Sequence, residues 1–160
     1  MNIHPIMVTV MLLSLNLRVA NAQDPGVQHA YTPGEDHRAV LELTAVERAM
    51  ILDEMHLFLS GVGELTGALG REDMPAAAKA ARAMGLVMSH EVPQALREKL
   101  PQDFRQRGSS VHRDFDQIAL DADSLGDVSH SLNQLSATLQ KCVSCHATYQ
   151  IQTPYLNDHH

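Results

Sequence analysis

Near the C-terminal end of the chain, Cys142, Val143, Ser144, Cys145 and His146 stand in succession. Two thiols three residues apart, followed directly by an imidazole, form the C-x-x-C-H pattern through which haem is attached covalently. On a helix the two sulfurs lie about 60° apart around the axis, so each can reach one vinyl group of the same porphyrin. The imidazole of His146 then projects to the iron as its proximal ligand. Other uses of the residues are poorer matches. A structural zinc site needs four ligands, and no second Cys pair exists to complete one. A thioredoxin-like pair should follow a strand and open a helix, whereas this one lies near the end of a long helical pattern. A plain disulfide leaves His146 without a role.

Helices must position that motif, because the chain is rich in Ala, Leu and Met and has only 4% aromatic residues. Thr44-Ala45-Val46-Glu47 reads as a capping box opening a helix that runs to Leu69 and stops near Gly70. Its inward stripe is Ile51, Met55, Phe58, Val62, Leu65 and Leu69. Asp73 caps a second helix with Pro75 in its first turn and the stripe Ala77, Ala81, Met84 and Met88. Residues 89–100, with Pro93, read as a connection holding a short helical turn. A third helix starts near Pro101, bent or delayed by Gly108, with the stripe Val111, Phe115, Ile118, Ala122 and Leu125. Gly126 and Asp127 turn the chain into a fourth helix. Its stripe is Val128, Leu132, Leu135, Leu139, Cys142, His146 and Tyr149, and Pro154 ends it. Stripes stepping by four and three are the seams of helices crossing at small angles, so the expected fold is an all-α, antiparallel four-helix bundle.

The N-terminal residues 1–22 read as a secretory signal. Ile6 to Leu17 is mostly apolar but too short to span a bilayer, and Ala20-Asn21-Ala22 is a small-x-small cleavage pattern. Residues 23–43 read as an irregular N-terminal segment, residues 44–152 as the bundle and residues 153–160 as a tail containing His159 and His160. The expected compartment is the periplasm, with no membrane association after cleavage behind Ala22. The net charge of −7 becomes one unit more negative when Arg18 leaves with the signal. Such a surface disfavours nucleic acid and anionic lipid, so partners should present basic patches or bind through apolar contact.

An attachment motif late in a four-helix bundle, followed three residues on by Tyr149, resembles the class II cytochromes c, the cytochrome c′ and cytochrome c-556 group. The resemblance covers Thr44 to Ile151, and its specific part is Cys142 to Tyr149. It implies one haem c, bound through Cys142 and Cys145 with His146 on the iron, redox proteins as partners, and a homodimer as one available assembly. One departure is that many cytochromes c′ carry a basic residue after that Tyr, where this chain has Gln150.

The other face of the iron decides the function that the resemblance implies. In the c-556 type a Met from the first helix is the sixth ligand. In cytochrome c′ the position is apolar, and the five-coordinate iron binds nitric oxide or carbon monoxide. Met55 lies on the inward stripe, whereas Met50 is about 140° away around the helix. Met55 is therefore the expected distal ligand, with His56 and His112 as rivals lying off the stripes. Arg48 and, beside the motif, Lys141 are each either a haem-propionate contact or a surface residue, and Phe58, Phe115, Leu139 and Tyr149 are the expected walls. The chain reads as a one-electron carrier with no substrate chemistry of its own.

Overall fold

Thr44 opens the first long helix by the expected capping box. Its hydroxyl accepts from the Glu47 backbone N–H at 3.3 Å, and the Glu47 carboxylate accepts from the Thr44 N–H at 3.0 Å. The computed structural model describes residues 34–89 and 92–154. The secretory segment, its cleavage point and the tail residues His159 and His160 lie outside the described residues. Helix α1 runs over Ala45–Gly70, and Glu72, at a φ of 57°, then turns the chain. Helix α2, Met74–Ala83, begins where the Asp73 carboxylate accepts from Ala76 N–H at 3.1 Å, with Pro75 in its first turn. Short helices α3, Leu86–Ser89, and α4, Gln94–Lys99, lead to α5, Gln102–Leu125. Gly126, in the left-handed region at a φ of 63°, ends α5, and Asp127 caps α6, Val128–Thr148.

Helix dominates the described residues, in keeping with the all-α expectation. Helix α1 packs on α2, α2 on α5, and α5 on α6, while α1 also touches α6. A main core forms where Leu65 and Leu69 of α1 meet the alanines of α2 and Val111, Phe115 and Ile118 of α5. No helix among the described residues is long and apolar enough to cross a membrane.

Several details differ from the sequence reading. Ala39–Glu42, inside the segment expected to be irregular, forms strand β1. It pairs in parallel with β2, Tyr149–Gln152, with Ala39 opposite Tyr149 and Leu41 opposite Ile151. The last helix therefore ends at Thr148 rather than continuing toward Pro154, because the backbone groups beyond it go to the strand ladder. Helix α5 passes through Gly108 without interruption. Helix α2 stops at Ala83, and Met88 falls in α3, since Asp116 of α5 accepts from the Leu86 N–H at 3.1 Å and draws the chain aside.

The stripe assigned to α6 is also corrected. Leu132 and Leu139 are 45% and 38% exposed, while Ser131 and Thr138 are buried beside Leu135. Their hydroxyls bond back to the carbonyls of Asp127 and Gln134, at 3.1 and 2.9 Å, so small polar residues can be buried there without unpaired groups. Leu125, given to the α5 stripe, is likewise exposed.

Candidate haem-binding site

The last two turns of α6 carry the motif. Cys142 and Cys145 are half-buried free thiols, and His146 is exposed. The Cys142 Sγ lies 3.8 Å from the Thr138 carbonyl oxygen, a long contact in which the thiol donates. Burial pushes both thiols above their usual pKa. Asp114 adds to this at Cys142, while Arg107 opposes it at Cys145.

Helix α5 holds the motif from outside. Arg107 donates to the Ser144 hydroxyl at 3.0 Å and to Asp103 at 2.8 Å. Tyr149 donates its hydroxyl to the same Asp103 oxygen at 2.9 Å, and its ring meets Phe104 edge-on at 5.3 Å. The bonds from Arg107 and Tyr149 hold the Asp103 carboxyl below the usual carboxylate range, and the bond to Asp103 raises the Tyr149 phenol.

Beside the motif lies a cavity of about 330 Å³, within the range of natural ligand sites. Cys145 and His146 border it from α6, and Arg48, Ile51, Leu52 and Met55 border it from α1. Leu41 of β1, Phe104 of α5 and the residues Tyr149, Gln150 and Ile151 of β2 complete most of the remaining wall, with Arg38 just ahead of β1. Leu41, Ile51, Phe104, Tyr149 and Ile151 belong to a second apolar cluster, distinct from the main core. The strand pair therefore builds the site.

The structure thus brings Met55, Cys145 and His146 to one cavity, with Cys142 on the adjoining turn of α6 and outside its lining. Arg48 reaches the cavity as well. Lys141 does not, and pairs instead with Asp114 at 2.5 Å. Of the expected walls, only Tyr149 holds that place. Phe58 and Phe115 stack on each other at 5.7 Å against the main core, because Phe58 sits one turn beyond Met55 along α1. Leu139 is exposed.

His112 is corrected too. It is 4% exposed rather than solvated, and its Nδ1 donates to the Met84 carbonyl at 2.9 Å, with Nε2 3.4 Å from Glu54. It borders a separate space of about 460 Å³ that shares Ile51 and Phe104 with the Met55 cavity. His56 is exposed, and neither histidine borders the Met55 cavity. Sequence reasoning missed Arg38, Leu41 and Ile151, since no local pattern marks a short strand pairing with residues far along the chain, and Phe104, which lies on α5 ahead of the stripe read for that helix.

The donor set fits a haem. Two thiols on adjoining turns provide the attachment points, and a thioether and an imidazole border one space. The Arg38 and Arg48 guanidiniums are its charged lining, Arg38 already paired with Asp36 and Arg48 facing the space with no Asp or Glu among the bordering residues. A flat apolar body bearing two carboxylates matches that lining. Among the described residues no three His, Cys, Asp or Glu side chains converge as a metal-ion site. No family model, curated protein or solved structure matches the chain.

Proposed function

We propose that the chain is an exported, periplasmic c-type cytochrome of the class II kind. It would carry one haem in an antiparallel four-helix bundle made by α1, α2, α5 and α6. The observation that supports this best is the shared cavity: Met55 from α1 and His146 from α6 border one space, with Cys145 beside them.

In this reading Cys142 and Cys145 would hold the group through thioether links, and His146 and Met55 would be the side chains offered to its iron. When bound, the haem supplies a one-electron couple, and thioether ligation raises its potential. The protein's own residues do the rest. Ile51, Leu41, Phe104 and Ile151 exclude water and lower the local dielectric, while Arg107 keeps the motif turn docked on α5. Arg48 offers a cation to the carboxylates. An imidazole and a thioether both offered to the iron would suit outer-sphere electron exchange with a redox partner rather than substrate binding.

Mass spectrometry and absorption spectra of protein exported from a host that matures c-type haem test this reading. The expected result is a chain heavier by one haem and missing its signal, low-spin in both oxidation states and inert to carbon monoxide. A bare polypeptide from such a host overturns the proposal. A high-spin protein that binds carbon monoxide at once, with Met55 intact, selects the five-coordinate gas-binding alternative.

A further inference from the structure

The C-terminal end of α6 is where His146 sits, and it carries a specific electrostatic problem. The last four carbonyls of a helix lack intrahelical partners, and the aligned peptide dipoles leave partial negative charge there. Helix α6 ends at Thr148, so the His146 carbonyl is one of these groups. Negative charge beside an iron ligand favours the oxidised metal.

Arg38 answers it from the opposite end of the described chain. Its Nη1 donates to the His146 carbonyl oxygen at 3.4 Å, and its side chain borders the same cavity as His146, Met55 and Arg48. It arrives there because β1 pairs with β2. Ala39, its neighbour, lies opposite Tyr149, and Gln150 donates its side-chain amide to the Arg38 carbonyl at 3.3 Å. Asp36 orients the guanidinium, accepting from Nε at 2.9 Å and from Nη2 at 2.6 Å. These bonds hold the Asp36 carboxyl down to about 2, so the carboxylate is charged throughout the ordinary pH range.

We propose that Arg38 is a positioning residue that caps the His146 end of α6 and, balanced by Asp36, sets the reduction potential of the bound group. This rests on the haem reading. The guanidinium offsets the helix-end charge and adds positive charge on the proximal side, favouring the reduced state, while Asp36 holds that effect below its full size.

The two residues therefore make opposite predictions. In thioether-linked protein, Arg38→Gln lowers the midpoint potential by about the equivalent of a tenfold change in the reduced-to-oxidised ratio, near 59 mV for one electron. Arg38→Lys retains most of the parent value, because it keeps the charge. Asp36→Asn shifts the potential upward, because it removes the negative charge that the carboxylate sets beside the guanidinium. All three are compared by redox titration at matched haem content, with the low-spin spectrum as a check on ligation. An unmoved potential in loaded Arg38→Gln overturns the proposal, as does a Lys variant that falls as far as the Gln variant. Should Arg38→Gln not fold, an unmoved or lowered potential in Asp36→Asn overturns it instead. A parent protein without the haem mass is a separate result, which overturns the function reading itself.

Discussion

Arg107 of α5 donates to the hydroxyl of Ser144, the residue directly ahead of Cys145, at 3.0 Å. The same guanidinium is bonded to Asp103, which also accepts from Tyr149, so one α5 turn grips the motif on both sides of His146. Arg107→Ala should loosen this end of α6. Amide exchange over residues 144–149 should quicken while exchange in α1 and α2 stays as in the parent. Equal acceleration everywhere would mean that the contact supports the whole fold rather than the site.

Met55→Ala should turn a low-spin spectrum high-spin and create a carbon monoxide site. Met50 provides the control, being 39% exposed and bordering a different, smaller cavity away from the motif. Met50→Ala should leave the spectrum unchanged. Absorption spectra of both reduced variants, with and without carbon monoxide, decide the matter.

Gly85 abuts the Asp116 carboxylate so closely that a β-carbon would overlap it, and that carboxylate is occupied by the Leu86 N–H. Gly85→Ala should destabilise the protein by about 1–3 kcal/mol in urea unfolding. Gly61→Ala should cost less. There the obstruction is the side chain of the buried Met84, whose sulfur would lie 2.5 Å and Cγ 2.7 Å from the new carbon, rather than a carboxylate already held by a backbone N–H.

His112 gives stability a pH dependence. Burial opposes its protonation, yet the hydrogen bonds to Glu54 and the Met84 carbonyl outweigh burial and raise its pKa. A raised folded pKa means that the stabilisation is complete below the unfolded value and fades as pH climbs through the folded one. The stability advantage of the parent over His112→Gln should therefore be larger near pH 5.5 than near pH 9, since the unfolded imidazole titrates near 6.5. Thermal unfolding of both proteins at the two pH values measures it. An equal advantage at both would show that the bonds carry no linked proton.

Leu41 is 5% exposed in the wall of the Met55 cavity. Leu41→Ala should cost about 2–5 kcal/mol, whereas Leu59→Ala, at a position 72% exposed, should stay within about 0.5 kcal/mol. Chemical denaturation of the pair gives the comparison.

Local signals carried most of the helical layout. The Thr44 and Glu47 box, the Asp73 and Asp127 caps and Gly126 each act within a few residues, so their bonds can be anticipated from spacing. That Met55 and His146 face one space was legible, because a stripe and a motif mark them independently. The pairing of β1 with β2 was not. Ala-Val-Leu-Glu and Tyr-Gln-Ile-Gln are too short to show periodicity, and what stabilises them is a partner remote in sequence. His112 failed for a related reason: the Met84 carbonyl and Glu54 that make its burial tolerable come from other elements.

The two-stranded ladder joins the front of the described chain to its rear, whereas the helices grow from neighbouring residues. Contacts of such long separation carry the larger loop-closure cost and form late. Strand β2 directly follows the motif helix, so β1 has no mate until the cysteines have been synthesised. The wall that Leu41 and Ile151 give the cavity is therefore among the last parts of the fold to close.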